Sequence, residues 1–237
     1  PERGVHDEEV ERAVLDFQRN AGLNVDGIVG PVTLGKLEAL RKAETGREGK
    51  KIPDRHGGCV EARSLTGLVV ALDPGHGGDD PGVVSSGGVN EKDVALALAL
   101  RLEELLRAEG CHVVLTRGDD RTVRLYERTE AVVAARAARI LSLPAHRHRG
   151  PGGAGGAGVH FQRSHYFSEH GLLLGRYVGA RLEALGTRFL GSFGRNYAVL
   201  REPRAIGLLV EPLFLTNPAG ERWATRPDFV DRVAEAI

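Results

Sequence analysis

Two stretches near the start of the chain carry apolar residues at helical spacing. The first has its apolar positions at Val10, Val14 and Phe17. Gly22 and the turn Asp26-Gly27 end this pattern, and Pro31 suits the first turn of a second helix. The apolar positions of the second helix are Leu34, Leu37 and Leu40. Because chains below about 40 residues rarely bury enough surface to fold alone, we expect a small helical remnant here, with a further helix upstream of Pro1.

A polar, charged and aperiodic stretch follows the two helical patterns. Its central part, ETGREGKKIPDRHGG, favours a linker over a folded element. The pattern therefore predicts a partial helical module at 1–45, a linker at 46–65 and a larger domain at 66–237.

Beyond the linker, short apolar runs alternate with longer stretches of helical periodicity. The runs typical of strands lie at 68–72, 112–116, 140–143, 159–161, 198–200 and 206–210. The helical stretches lie at 90–109, 123–138 and 165–185, with a last helix from Asp228. This alternation predicts an α/β fold with a mostly parallel sheet flanked by helices. The glycine-rich stretch 150–158 lacks the Lys-Ser/Thr of a phosphate-binding loop, so we interpret it as a flexible connection.

Composition and charge narrow the range of partners. A hydrophobic share of 41% and a charged share of 27% over 237 residues are ordinary for a soluble globular protein. Basic and acidic residues balance at 32 each, so no global charge favours nucleic acid or an anionic membrane. No apolar run approaches the length of about 20 residues that spans a bilayer. We therefore expect no nucleic-acid and no membrane partner, and the oligomeric state stays open.

The numbers of cysteine and methionine residues bear on disulfide formation and on whether the chain is a processed piece. The two cysteines, Cys59 and Cys111, are too few for a disulfide framework, and we interpret Cys111 as a small buried hydrophobe. The N-terminal sequence is not a signal peptide, but the chain contains no methionine, so we expect a processed or truncated piece. An absent export signal therefore says little about localisation.

Polar residues follow several of the expected strands. His76 follows the first strand, His146 follows the third, and Glu211 ends the late strand. Because the carboxyl ends of parallel strands meet at one rim of a sheet, these distant residues are expected to converge. Glu91 joins them if Asn90 caps the next helix and that helix packs beside the first strand. Two imidazoles and a carboxylate suit a catalytic zinc with one position open for water, and a further glutamate suits a general base.

Each of these residues also has a simpler explanation. A single histidine after a strand is more often a surface residue than a ligand. The glycines around His76, at positions 75, 77 and 78, nevertheless permit a tight turn that an exposed histidine would not require. Glu91 alone would suit the positive end of a helix dipole. Glu211 ends an apolar run, where a buried carboxylate needs a partner such as Arg201 or Arg204.

The larger domain contains the motifs LDPGHGG, GGVNEKDVALALALRLEELL, VVLTRGDDRTVRLYERTEAV and LLVEPLFLTNP. Together they resemble the zinc-dependent N-acetylmuramoyl-L-alanine amidases, from about Leu68 to the C-terminus. The resemblance implies a Zn²⁺ cofactor with His76 and Glu91 as ligands, and Glu211 as the catalytic glutamate. The N-terminal sequence AVLDFQRNAGLNVDGIVGPVTLGKL is similar to the last two helices of the three-helix peptidoglycan-binding domain often joined to such enzymes.

The third ligand position departs from the family pattern. The family usually has Ser-Ile/Leu-His-x-Asn where the third strand ends, whereas here Ser142 and Leu143 are followed by Pro144. In an extended chain His146 shares the face of position 144 but lies about 6–7 Å farther along. A local bend at Pro144 would bring it back, so we assign His146 as the third ligand, with His148 as a weaker substitute.

The resemblance implies that a zinc-activated water, deprotonated by Glu211, hydrolyses the amide bond between N-acetylmuramic acid and L-alanine. Peptidoglycan is then the partner, and the bacterial cell envelope or the secreted fraction is the expected location. Two alternatives remain open. Pro144 motivates a catalytically inactive amidase-like protein that binds peptidoglycan or regulates its metabolism. A zinc peptidase acting on a different peptide bond is the other alternative.

Overall fold

The computed structural model describes residues 8–45, 64–143, 156–162, 168–195, 197–201 and 205–237. The chain divides into two compact units, Pro1–Arg63 with Arg124–Glu127 and Ser64–Val123 with Arg128–Ile237. Within the described ranges, no helix is both long and apolar enough to cross a membrane. Most of the expected linker lies outside these ranges, and the domain boundaries of the sequence analysis stay predictions.

The N-terminal unit contains α1 (Glu8–Ala21) and α2 (Pro31–Thr45). The buried amide of Gln18 joins α1 to the turn that precedes α2. Its oxygen accepts hydrogen bonds from the backbone N–H groups of Asp26 at 3.1 Å and Gly27 at 2.8 Å. Its nitrogen donates to Oδ1 of Asp26 at 2.7 Å and to the Ile28 carbonyl at 2.9 Å. Because both ends of the amide are used, Gln18 is satisfied in its buried position and fixes the turn.

Several apolar side chains of this unit are exposed: Val25, Ile28, Val29, Val32, Leu34 and Leu37. Val14 and Phe17, on the apolar stripe of α1, are half-buried. Among the described residues, this unit therefore leaves apolar surface in contact with solvent.

The second unit is built on a sheet of six described strands. The strands are β1 (Val69–Pro74), β2 (His112–Leu115), β3 (Arg139–Leu143), β4 (Ala157–Gln162), β5 (Phe189–Arg195) and β6 (Ile206–Glu211). Their order across the sheet is β2-β1-β3-β6-β4-β5. The first four strands of that order run parallel, whereas β4 pairs antiparallel with β6 and parallel with β5. The predicted α/β fold with a mostly parallel sheet is confirmed.

Helices cover both faces of this sheet. They are α3 (Glu91–Ala108), α4 (Leu125–Ala134), α5 (Glu169–Ala184), α6 (Ala198–Arg201), α7 (Pro218–Ala224) and α8 (Phe229–Ala236). One face buries Leu98 of α3, Leu182 of α5 and Phe229 of α8. The other face buries Val132 of α4 and Leu200 of α6. Burial on both faces explains why β1 and β6 are apolar along nearly their whole length.

Three elements differ from the sequence prediction. The expected strand at 198–200 is wrong, because these residues form α6, whose Leu200 packs on the sheet. Three apolar residues are too few to distinguish the helical period from the strand period. β5 was not predicted, since its sequence FLGSFGR contains two glycines and is mostly half-buried. α7 was also missed, although Asn217 and Pro218 carry the signals of a helix start.

Cys111 precedes β2 and is 5% exposed, and it is a free thiol. Burial raises the pKa of this thiol, with a smaller contribution from the charge of Glu109. Its interpretation as a small buried hydrophobe is confirmed. Cys59 lies outside the described residues.

Candidate functional site

The chain leaves β1 in a tight loop that contains His76. Three successive residues, His76, Gly77 and Gly78, have positive φ angles of 58°, 126° and 59°. A Cβ at Gly77 would collide with the carbonyl oxygen of Arg121. A Cβ at Gly78 would collide with Oγ1 of Thr122, so both positions require glycine. The expected tight turn is present, and His76 itself has a left-handed backbone conformation that is uncommon for a residue with a side chain.

Two buried arginines bind the main chain of this loop. Arg117 donates from Nε to the Pro74 carbonyl at 3.1 Å and from Nη2 to the Gly75 carbonyl at 2.7 Å. Arg128 donates from Nη1 to the Pro74 carbonyl and from Nη2 to the His76 carbonyl. Burial lowers the pKa of Arg117, and the nearby positive charge of Arg128 lowers it further. The loop is thus held through its carbonyl oxygens.

Asp73, a buried carboxylate of β1, balances the charge of Arg128. Its Oδ1 lies 2.9 Å from Nη1 of Arg128 and accepts a 2.6 Å hydrogen bond from Oγ1 of Thr116. Its Oδ2 accepts a 2.8 Å hydrogen bond from Oγ of Ser142. These bonds satisfy a carboxylate whose burial is costly without partners. This network was not predicted, because arginine is mostly exposed in proteins. The motif VVLTRGDDRTVRLYERTEAV was the one available signal.

The imidazole of His76 lies between two carboxylates. Nδ1 is 2.8 Å from Oδ2 of the exposed Asp80, and Nε2 is 3.0 Å from Oε1 of the buried Glu91. Burial lowers the pKa of His76, but the hydrogen bonds and charges of Glu91 and Asp80 outweigh it, so the pKa lies above its ordinary value. Burial also raises the pKa of Asp80, whereas bonding to His76 brings it below its ordinary value. The structure therefore brings two of the predicted ligands together.

Glu91 is the first residue of α3 and is 1% exposed. Its Oε2 accepts a 2.8 Å hydrogen bond from the backbone N–H of Val83. A Cβ at Gly82 would lie 2.6 Å from this oxygen, so the loop passes Glu91 at a distance that only glycine allows. Asn90 is at the N-cap of α3, but the predicted cap through its side chain is wrong. The side-chain amide of Asn90 instead donates a 2.8 Å hydrogen bond to Oδ2 of Asp93.

Glu211 ends β6 at the same rim of the sheet, two strands away from β1. It is 4% exposed, and its Oε2 lies 3.2 Å from Nε2 of His160 on β4. The sequence had suggested Arg201 or Arg204 as partners, and the side chain of Arg201 and all of Arg204 lie outside the described residues. His160 was missed, because a histidine with the apolar neighbours Val159 and Phe161 inside a strand gives no local indication of a site.

The predicted third ligand, His146, lies in the segment 144–155 with Pro144 and His148, outside the described residues. Within the part of the chain that is described, no group of three or more His, Cys, Asp or Glu side chains is arranged to hold a metal ion. The pair of His76 and Glu91 does fit zinc in its donor chemistry. It offers an imidazole nitrogen and a carboxylate oxygen, and the other imidazole nitrogen is bound by a carboxylate, as in many metal-bound histidines. The complete ligand set stays a prediction.

Two family models match the chain. The model described as N-acetylmuramoyl-L-alanine amidase matches residues 70–237, and a peptidoglycan binding domain model matches residues 1–37. The N-acetylmuramoyl-L-alanine amidase CwlM of Mycobacterium tuberculosis is 30% identical over 234 residues, which cover 97% of this chain and 58% of CwlM. The amidase AmiC of Neisseria meningitidis is 30% identical over 211 residues, which cover 71% of this chain and 50% of AmiC. The chain thus spans about half the length of these curated relatives.

Solved structures show the same fold. The N-acetylmuramoyl-L-alanine amidase AmiC2 of Nostoc punctiforme superposes with a TM-score of 0.67 and 28% identity, over 73% of this chain and 94% of that one. The catalytic domain of the amidase CwlV of Bacillus (Paenibacillus) polymyxa superposes with a TM-score of 0.65 and 29% identity, over 72% of this chain and 93% of that domain. Since the amidase model also matches well over half of the sequence, the chain belongs to the N-acetylmuramoyl-L-alanine amidase family.

Proposed function

We propose that the chain is a zinc-dependent hydrolase that cleaves the amide bond between N-acetylmuramic acid and L-alanine in peptidoglycan. The observation that supports this most is the pair of His76 and Glu91, with Nε2 and Oε1 3.0 Å apart at the carboxyl rim of the sheet. Ligands of α/β proteins bind at that rim. The peptidoglycan binding domain match at residues 1–37 favours the same polymer and an action at the bacterial cell wall.

In this proposal His76, Glu91 and His146 would hold Zn²⁺. Asp80 lies 2.8 Å from Nδ1 of His76 and orients the ring, so that Nε2 would be the nitrogen available to a metal. When bound, zinc supplies a water of lowered pKa and polarises the carbonyl of the substrate. Arg117 and Arg128 keep the His76 loop in place through its carbonyl oxygens.

Glu211 is the general base of the proposed reaction. Its carboxylate takes a proton from the water that attacks the lactyl carbonyl carbon, and it later gives a proton to the amine nitrogen of L-alanine as the amide bond breaks. Its position at the end of β6, on the rim that also bears His76, supports this role. Its burial keeps bulk water away from the transferred proton.

A second candidate function is an amidase-like protein without catalysis, which binds peptidoglycan or regulates its metabolism. The observation that favours it is Pro144 at the position where the family has a ligand. In addition, each ring nitrogen of His76 already has a carboxylate within 3.0 Å. The imidazole of His76 therefore has polar partners within the protein and does not require a metal ion.

Metal analysis combined with product analysis separates these candidates. The purified chain is equilibrated with zinc, dialysed, and incubated with purified peptidoglycan, and the products are identified by mass spectrometry. The proposal expects one zinc per chain and release of stem peptides with a free L-alanine amine. Glu211→Gln is the matched control, because it should retain zinc and release nothing. Zinc-free, inactive protein would favour the second candidate, and cleavage at another peptide bond would indicate a zinc peptidase.

A further inference from the structure

His160 is a buried histidine that the proposed mechanism leaves unused. It lies on β4 and is 6% exposed. Nε2 of His160 lies 3.2 Å from Oε2 of Glu211, yet neither ring nitrogen makes a well-directed hydrogen bond with any described group. Burying an imidazole without hydrogen bonds is costly. A histidine in this position therefore suggests a role that an apolar residue would not serve.

The strand register explains why the two side chains meet. In the antiparallel pair of β4 and β6, Gly158 lies opposite Glu211 and His160 lies opposite Leu209. Alternate residues of a strand share a face, so His160 and Glu211 project from the same face as diagonal neighbours. The core residues Val159 and Phe161 of β4 belong to the other face. His160 thus approaches Glu211 from within the sheet, on the side away from the rim.

Gly158 provides the space in which the two groups meet. A Cβ at this position would lie 3.3 Å from Oε2 of Glu211 and 3.7 Å from Nε2 of His160. Any side chain at 158 would therefore press on the carboxylate. Because Gly158 has no side chain, the carboxylate of Glu211 can approach the imidazole of His160.

Aromatic packing fixes the imidazole from its other sides. The ring centroid of His160 lies 5.6 Å from that of Phe193, with the planes 32° apart, and 5.6 Å from that of Tyr197, with the planes 78° apart. The first contact is tilted and the second is edge-to-face. A ring held in this way presents its Nε2 in a fixed direction.

We propose that His160 is a positioning residue for Glu211, and this inference rests on the proposed role of Glu211 as general base. In the reaction the Nε2–H group of His160 would complete a hydrogen bond to Oε2, which lies 3.2 Å from Nε2 in the structure, and would hold the carboxylate in the orientation that accepts the proton of the attacking water. His160 keeps its own proton throughout, because the proton of water passes to Glu211 and then to the amine of L-alanine. The imidazole acts through Glu211 and touches neither substrate nor metal.

Three variants separate positioning from packing. His160→Phe keeps an aromatic ring but removes the donor, and we expect kcat to fall about 10- to 100-fold with KM and zinc content unchanged. His160→Gln retains a donor and should recover part of the loss. Gly158→Ala leaves the imidazole intact but displaces the carboxylate, so it should also lower kcat with little change in KM. His112→Phe, at an exposed histidine of β2, is the matched control and should keep the wild-type rate.

An unfolding cycle tests the contact without relying on catalysis. Wild type, His160→Phe, Glu211→Gln and the double variant are unfolded in urea. We expect the unfolding constant of the double variant to differ about tenfold from the value expected for independent changes. Independent effects in this cycle, or a His160→Phe enzyme with wild-type kcat, would overturn the positioning role. A wild-type chain that binds zinc but releases no stem peptide would overturn the proposed function instead, while the cycle still decides whether His160 and Glu211 are coupled.

Discussion

Nε2 of His76 lies 3.0 Å from Oε1 of Glu91, where the loop after β1 meets the first turn of α3. Two ligands of one tetrahedral zinc, each bonded at about 2.0–2.1 Å, lie about 3.3 Å apart. The separation of this pair is therefore close to the one that the proposed zinc would require. The two atoms also lie within hydrogen-bonding distance of each other.

Removing either member of this pair should abolish zinc binding. We expect His76→Ala and Glu91→Gln to lose both bound metal and amidase activity, because each removes a direct ligand of the proposed site. Metal content after dialysis and digestion of purified walls measure the two properties, and circular dichroism checks the fold. His112→Ala is the control. Full zinc occupancy in either variant would exclude that residue from the ligand set.

Asp80 should tune zinc affinity without being a ligand. Asp80→Ala removes the carboxylate 2.8 Å from Nδ1 of His76, and we expect zinc to bind about 10- to 100-fold more weakly. Competition with a chelator of known affinity measures the change. Asp79→Ala is the matched control, since the described contact of Asp79 with Thr122 uses its backbone N–H. Equal affinities in the two variants would show that Asp80 does not orient the ring.

His146 should be the third ligand, because a three-ligand site needs a donor that follows β3. We expect His146→Ala to lose zinc and activity. Adding Pro144→His in that background should restore both, since it places an imidazole at the position the family uses. Metal titration of the single and double variants measures the outcome. Unchanged affinity in His146→Ala would direct attention to His148 or to water as the third ligand.

Arg128 should stabilise the second unit strongly. Its removal leaves the buried Asp73 carboxylate without its charged partner, 2.9 Å away, and breaking such a buried pair typically costs about 3–5 kcal/mol. We expect that loss in the free energy of unfolding of Arg128→Met, measured in urea. The matched control is Arg121→Met, at a side chain that is 61% exposed, where a change within about 0.5 kcal/mol is expected. A loss below about 1 kcal/mol in Arg128→Met would contradict the role of the pair.

The turn between α1 and α2 should lose stability in acid. A hydrogen bond from the Ile28 N–H, assisted by the Gln18 amide, holds the pKa of Asp26 below its ordinary value. The unfolded chain then binds this proton more tightly than the folded one. The stabilisation is therefore present above the ordinary value of about 3.9 and is lost as pH falls through the lower folded value.

The amide NMR signal of Gly27, followed through urea unfolding between about pH 6 and pH 2, measures this dependence. We expect Asp26→Asn to flatten it, while Asp16→Asn on α1 retains it. An unchanged acid dependence in Asp26→Asn would assign the effect to other groups.

Much of the fold follows from patterns that repeat along the sequence. β1, α3, β2, β3 and β6 are long or strongly apolar and are bounded by glycine or by polar residues, so their existence and order were predictable. α6 was mistaken for a strand because its three apolar residues fit the helical and the strand period equally well. The packing of Leu200 on the sheet is a tertiary contact that the local pattern does not contain. The reversal of β4 against β6 depends on pairing between distant segments, which local patterns do not contain.

The site was predictable where a residue stands next to a signal of local geometry. His76 is surrounded by glycines and Glu91 begins a helix, so each was placed correctly on its element. Arg128 and His160 lack such a signal, because their contacts are with residues more than fifty positions away. The positions of these two side chains are set by tertiary contacts, which the local sequence does not reveal.

Arg117 and Arg128 donate hydrogen bonds to backbone carbonyl oxygens of the His76 loop, and every amino acid has such a carbonyl group. The shape of the loop consequently depends little on the side chain at position 76, whereas Gly77 and Gly78 are required. A lineage can exchange the group at position 76 for another residue that tolerates a left-handed backbone, such as Asn, and keep the architecture intact. A change at position 76 can therefore remove the proposed metal chemistry while the loop keeps its shape.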